Sequence, residues 1–211
     1  GSTDGTQDYL DNFCNNTDFN IGSPQFRSSK IILNKENLGI AKARNQALKE
    51  AKGDWLCTID NDVVLPIGWL SNCVDILNKN KNFASIGVNF EKETFPLQTL
   101  NGCEFQVKPR GNLGTACMVF PRSLHKLLGY FNTEYGKYGE EDSDFGMRTR
   151  CLGLKLGYIK ENGTHLGEGD MDVGPYREFK TKAHTDNLKK FNENCRLYVS
   201  GKKPIYIECK I

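Results

Sequence analysis

Apolar positions along this chain recur at two periods, and the changes of period mark the elements. Tyr9, Leu10 and Phe13 follow a Ser/Thr/Asp-rich start at helical spacing, which predicts a helix from Asp4 to Phe13. Lys30–Leu33 (KIIL) has the length and composition of a short buried strand. Ile40, Ala43, Ala47, Leu48 and Ala51 line one side of a helix over Leu38–Lys52, with Gly53 at its stop. Trp55–Ile59 reads as a strand that runs into acidic residues. Gly68–Asn78 reads as an amphipathic helix through Trp69, Leu70, Cys73, Val74 and Leu77, and Ala84–Phe90 as another strand. This α, β, α, β, α, β order predicts an α/β domain with a mixed, mainly parallel sheet flanked by helices.

The second half is less regular. Residues 91–113 carry Pro, Gly and short β-like pieces and give weak signals. Thr115–Pro121 (TACMVFP) is an apolar strand, followed by a helix around Ser123–Leu128 and a Tyr- and Gly-rich loop over 129–139. A helix is expected near Ser143–Leu152, a strand at Leu154–Lys160, a glycine-rich loop at Asn162–Pro175 and a long polar helix at Pro175–Cys195. No internal repeat or low-complexity tract interrupts the pattern.

Composition narrows the class. With 211 residues, 38% hydrophobic and 26% charged, the chain has the size and balance of one folded domain. A formal charge of +2 gives no basic excess for binding a nucleic-acid backbone. No apolar run approaches the ~20 residues of a membrane span. The eight cysteines stand singly, without a CxxC pair or a signal peptide, and several fall on apolar faces (Cys57, Cys73, Cys117). They read as small buried hydrophobes, and a reducing, cytoplasmic setting is expected. The triplets Asn15-Asn16-Thr17 and Asn162-Gly163-Thr164 match the N-glycosylation pattern, which arises often by chance and carries no weight here.

The chemistry is expected where open α/β sheets bind ligands, outside the carboxyl ends of their strands. Asp60-Asn61-Asp62 follows the strand at 55–59, and two carboxylates there suit a hard divalent cation such as Mn²⁺ or Mg²⁺ together with phosphate oxygens. Asp and Asn are also ordinary turn residues. Glu140-Glu141-Asp142-Ser143-Asp144 puts four carboxylates within five residues. Such crowding raises pKa values and suits a general base, although acids at a helix start also cap it and complement its dipole. His165 opens a glycine-rich segment after a strand, where a neutral imidazole can complete a metal site begun by Asp62. His125 and His184 lie within helical stretches and read as structural. The tract Gly1–Thr6 before a helix is a place where backbone N–H groups meet anions, and helix capping explains it equally well.

Taken in order, these pieces resemble the family 2 glycosyltransferases of the GT-A (Rossmann-like) fold. The matching run is GSTDGT at 1–6, Asn37-Leu38-Gly39 with AKARNQAL at 41–48, and GDWLCTIDND at 53–62. It continues with Leu65-Pro66 before Gly68-Trp69-Leu70, GEEDSDFGMR at 139–148 and GLKLGYIKENGTH at 153–165. The resemblance implies a metal-dependent, inverting transfer of a sugar from a nucleotide-sugar, usually a UDP-sugar, to an acceptor hydroxyl on a glycan, lipid or protein. It implies that Asp60-Asn61-Asp62 is a DXD motif, with Asp60 toward the donor ribose and metal shell and with Asp62 and His165 as metal ligands. Asn37, Gly39, Arg44, Asn45 and Asn61 would lie near the nucleobase and donor edge, and Gly114 and Thr115 would border the sugar pocket. Asp142 would be the catalytic base with Glu141 beside it.

By the same resemblance, residues 1–90 form the nucleotide-sugar-binding half, 91–175 the acceptor-binding and catalytic half, and 176–211 a C-terminal helix and tail. The segment Gly163–Gly174 would close over the donor and exclude water. Family members ordinarily open with a strand, turn, helix and second strand ahead of the part matching 1–6. Those pieces are not among these residues, so the sheet is expected to leave an open edge. Two other readings remain: a sugar-phosphate nucleotidyltransferase, and an inactive nucleotide-sugar-binding domain.

Overall fold

The computed structural model describes residues 4–15, 30–91, 94–109, 111–166 and 174–209. The expected positions Gly1–Thr3, the middle of the glycine-rich loop (167–173) and Asn16-Thr17 of the first glycosylation triplet lie outside them.

Six strands form the main sheet: β1 (Trp55–Ile59), β3 (Phe83–Asn89), β4 (Leu97–Leu100), β5 (Cys103–Lys108), β6 (Cys117–Pro121) and β7 (Lys155–Asn162). Their spatial order is β1-β6-β3-β7-β5-β4. Of these neighbouring pairs only β3 and β7 are parallel; β1–β6, β6–β3, β7–β5 and β5–β4 are antiparallel. The mixed α/β class holds, but the expected parallel majority does not. The α/β alternation correctly signals that β1 and β3 run in one direction, because helical crossovers return the chain to the same end of the sheet. It carries no information on which strand lies between them. β6 comes later in the chain and inserts antiparallel, so the carboxyl ends of β1, β3 and β7 still share one edge.

The sheet is covered on both faces, and alternating side chains explain why its strands read as continuous apolar runs. From β6, Met118 and Phe120 join a cluster with Leu48, Leu124, Leu128 and Phe145. Its Cys117 and Val119 join another, with Cys73, Ile76 and Leu77. Helices α2 (Ile40–Glu50), α4 (Arg122–Leu128) and α5 (Glu141–Cys151) thus cover one face, and α3 (Trp69–Lys79) covers the other. A first helix, α1 (Thr6–Asn15), is capped by Asp4, whose Oδ1 accepts from the Thr6 backbone N–H at 3.1 Å. The long α6 (Pro175–Val199) packs against α5. None of the described helices is long and apolar enough to cross a membrane.

Two further expectations are corrected. Lys30–Leu33 joins no ladder among the described residues, and Ile32 and Leu33 are exposed. An apolar run becomes a strand only where a neighbour offers paired N–H and C=O groups, and none of the described residues is paired with it. β1 is accordingly an edge strand, with Ile59 exposed. Cys57 on that strand is also exposed, whereas Cys73 and Cys117 are buried as expected.

Candidate functional site

β1 delivers Asp60 at its carboxyl end, where the Asp60 N–H donates to the Ala116 carbonyl at 2.9 Å. The chain then enters a two-residue strand, β2 (Val63–Val64), that pairs antiparallel with β8 (Thr164–His165). Val63 lies opposite His165, and the Leu166 N–H donates to the Asp62 carbonyl at 2.7 Å. This small ladder brings together residues a hundred positions apart in sequence. His165 Nε2 sits 3.7 Å from Asp62 Oδ1, and both side chains are partly exposed.

These two groups fit a divalent cation in their chemistry. Asp62 keeps its carboxylate open to the cleft. The His165 ring carries a buried Nδ1 with no hydrogen-bond partner among the described residues, so none of them engages that nitrogen. No cluster of three or more His, Cys, Asp or Glu suited to a metal occurs among the described residues. A pair is what Mg²⁺-type ions commonly use, since substrate phosphates and water supply the other ligands. Asp60 is differently engaged: Arg44 Nη2 donates to its Oδ1 at 2.8 Å.

The acidic cluster is divided by α5, which begins at Glu141 rather than at Ser143 because its acids occupy the first turn and complement the helix dipole. Asp144 turns inward. It pairs with Arg148 at 2.6 Å, both side chains fully buried, and accepts from the Tyr135 and Tyr198 hydroxyls at 2.9 and 2.8 Å. Arg148 also donates to the carbonyls of Leu128 and Tyr130. That pair is part of the core. Glu141 and Asp142 face the cleft. Burial, then the neighbouring Asp142 charge, pushes the Glu141 carboxyl up to about 7, while Arg44 opposes the shift. Burial likewise raises Asp142, against the Ser143 N–H that donates to its Oδ1 at 2.6 Å.

Arg44 on α2 joins the two halves. Its second guanidinium nitrogen donates to Glu141 Oε1 at 3.1 Å, so one side chain spans Asp60 and Glu141. Asn45, expected beside it at the donor edge, is instead a fully buried core residue. Its amide donates to the Phe131 carbonyl and accepts the Phe131 N–H, both at 2.9 Å. One residue along a helix turns the side chain by about 100°, which is why neighbours in one motif face opposite ways.

The remaining expected residues line one cleft of about 720 Å³: Asn37, Gly39, Asn61, Gly114 and Thr115 stand on its walls with Asp60, Asp62, Glu141, Asp142 and His165. Asn37 Oδ1 accepts the Gly39 N–H at 2.9 Å, and Gly39 at φ +83° starts α2. A Cβ at Gly39 would lie 2.4 Å from the Lys137 Cα, so the turn requires glycine for both conformation and space. A larger hollow of about 1110 Å³ adjoins and shares Asn37, Gly39, Ile40 and Asn61 with the cleft.

Among the residues on the cleft wall that were not expected there are three bases, Lys137, Lys180 and His184. The last two come from α6. Its inward stripe is polar, with Asn187 donating to the Tyr135 and Tyr138 carbonyls at 2.6 and 2.9 Å and Asn194 donating to the Tyr135 hydroxyl at 2.8 Å. A search for apolar periodicity passes over such a face. The spacing of His184, Asn187, Asn194 and Tyr198 at three, seven and four residues was the available signal.

The fold resembles that of the mannosyltransferase PcManGT from Pyrobaculum calidifontis in complex with GDP-Man and Mn²⁺, with a TM-score of 0.56 and 17% identity. It also resembles GalNAc-T7 with UDP, GalNAc and Mn²⁺, with a TM-score of 0.57 and 13% identity. The matches cover 95% and 96% of this chain but 62% and 46% of those chains, so this chain spans only part of their length. The fold is thus that of the GT-A glycosyltransferases. No curated protein matches the sequence. The model of the family described as Glycosyl transferase family 2 matches residues 1–133, well over half of the chain. The chain belongs to glycosyl transferase family 2.

Proposed function

We propose that this chain transfers a sugar from a nucleotide-sugar, with UDP-sugars the first candidates, to an acceptor hydroxyl with inversion at the anomeric carbon. One observation carries the reading. A cation-competent pair, Asp62 and His165, and a buried carboxylate pair, Glu141 and Asp142, line the same cleft and are linked through Asp60 and Arg44. Transfer needs those two functions a sugar's width apart.

Asp62 and His165 would hold Mn²⁺ or Mg²⁺, which when bound supplies positive charge to a diphosphate leaving group. The adjoining hollow beside Asn37, Gly39 and Asn61 offers room for the nucleoside, and Gly114 and Thr115 border the space left for the sugar. Asp142 takes the proton of the acceptor hydroxyl as its oxygen forms a bond to the anomeric carbon. On the opposite side the bond to the diphosphate breaks, and the nucleoside diphosphate leaves with the electron pair. The raised pKa values of the carboxylate pair suit proton removal near neutral pH. Arg44 keeps Glu141 from ionising against Asp142 unopposed and holds Asp60 to the same frame, so that donor and acceptor are fixed in line.

The test is a panel of UDP-, GDP- and dTDP-sugars, each with Mn²⁺. A partner that binds only the folded state raises the melting temperature, by an amount set by its concentration and affinity. The expected result is stabilisation by one nucleotide class only with the metal present, accompanied by slow nucleotide release. Stabilisation by none of them, or release of pyrophosphate from a nucleoside triphosphate and a sugar phosphate, would overturn the reading.

A further inference from the structure

We infer that His184 on α6 is a positioning residue for the carboxylate pair and acts through Glu140; the inference rests on the transferase reading of the cleft. Glu140 immediately precedes Glu141 and Asp142 and has φ +67°, in the left-handed region that a residue with a side chain seldom occupies. Only two of the described non-glycine residues do so, Asn101 and Glu140, and asparagine tolerates this conformation far better than glutamate. A glycine would relieve the backbone at position 140, so the retained side chain points to a use for it.

The carboxylate of Glu140 is buried, with its side chain 5% exposed, and its Oε1 lies 2.7 Å from Nδ1 of His184. His184 itself is 60% exposed and lines the cleft. The segment just before Glu140 is held by the same helix. Asn187, one turn further along, donates to the carbonyls of Tyr135 and Tyr138, and Lys190 Nζ donates to the Glu134 carbonyl at 2.6 Å. Behind Glu140, Asp144 is locked to Arg148 in the core. The stretch from 134 to 144 is therefore fixed at both ends, and the Glu140–His184 contact is the tie from α6 that lies nearest in sequence to Glu141 and Asp142, which are otherwise held by Arg44 and the Ser143 N–H. It holds the residue just before α5 in place, and with it the direction in which the first-turn carboxylates point. An error of about 1 Å in such groups can lower turnover ~100-fold. The tie comes from a helix outside residues 1–133, the part that the family model matches.

The experiment uses the full chain in four forms: wild type, His184→Ala, His184→Asn and Glu140→Gly. Nucleotide release from UDP-glucose, UDP-GlcNAc or GDP-mannose, whichever the wild type turns over with Mn²⁺, gives kcat and KM. Amide hydrogen exchange over residues 136–143 gives the local order without reference to activity. His184→Ala and Glu140→Gly are expected to lower kcat about tenfold or more while leaving the donor KM within about twofold, and to speed exchange in that segment. His184→Asn retains a side-chain N–H near the place of Nδ1 and is expected to restore most of both. Wild-type kcat and exchange in His184→Ala would overturn the proposal. Equal impairment of the Asn and Ala variants would also overturn it, since the imidazole itself would then be required. A chain that turns over none of these three and no other sugar of the UDP-, GDP- and dTDP-panel defeats the transferase reading, and unchanged exchange in His184→Ala still overturns the contact's role.

Discussion

Arg44 holds Asp60 at 2.8 Å with one guanidinium nitrogen and Glu141 at 3.1 Å with the other, so a single side chain ties the end of β1 to the start of α5. A forked, planar cation can serve two carboxylates at fixed angles, whereas a lysine ammonium is a point charge on a flexible stem. Arg44→Lys is therefore expected to behave almost as badly as Arg44→Ala, each losing about 100-fold in kcat/KM. Because the Arg44 charge lowers the pKa of Asp142, the proposed base, as well as that of Glu141, its removal also moves the rising limb of the pH–rate profile to higher pH. A profile unchanged in position would remove Arg44 from the electrostatics of the base.

Asp62→Ala is expected to abolish metal-dependent donor binding, since it takes away the open carboxylate that faces His165. Titration calorimetry with the nucleotide-sugar, with and without Mn²⁺, reads this directly. Equal affinity in the variant and the wild type would exclude Asp62 from the cation site.

Asp142→Asn keeps the shape of the side chain and removes its basicity. Donor affinity should stay nearly constant while transfer falls by about 10²-fold or more. Wild-type turnover would show that another group takes the acceptor proton.

Glu141 also makes stability depend on pH. Its folded pKa of about 7 lies above the ordinary carboxylate value, so between roughly pH 4.5 and 7 the folded state binds the proton more tightly than the unfolded one. The contribution of this group therefore favours folding most at low pH and is lost as pH rises through about 7. Glu141→Gln should flatten that slope and raise the melting temperature at pH 8 by a few degrees, about 1 kcal/mol corresponding to 2–4 °C at this size. A variant melting below the wild type at pH 8 would show that the tie to Arg44 outweighs the burial of the charge.

Gly39→Ala places a methyl group 2.4 Å from the Lys137 Cα at a positive φ, and backbone cannot swing away as a flexible side chain can. A loss of at least ~2 kcal/mol is expected, combining conformational strain and overpacking. Thermal melting checks it, and a loss within measurement error would mean that the turn at 37–39 relaxes freely.

Much of this architecture was legible because the signals were local. Trp55–Ile59 is a strand with the expected bounds, since an apolar run ending in acids satisfies both burial and turn chemistry. Asp62 and His165 face each other as anticipated, although no local pattern foretold the β2–β8 ladder that brings this about. What escaped was set by partners. Lys30–Leu33 has a strand's composition but no neighbour to pair with among the described residues. The hairpin β4–β5 hid in residues 91–113, where the exposed face of β4 gives no alternation. Asn45 and Asp144 look like site residues by their motifs, yet each spends its polar groups inside the core. His184 looked structural because the helix that carries it packs through hydrogen bonds rather than through an apolar stripe.

The β2–β8 piece has only two residue pairs and stands apart from the six-stranded sheet. Asp62 and His165 thus ride on a small raft moored at its two ends, while Glu141 and Asp142 are anchored in the hull. A shift of that raft would change the gap between Asp62 and the carboxylate pair, and it would act through the edge-on contact of His165 with Phe90, which packs against the core. If the proposed transfer holds, replacements near residues 63–64 and 164 are expected to change sugar preference by moving Asp62 and His165.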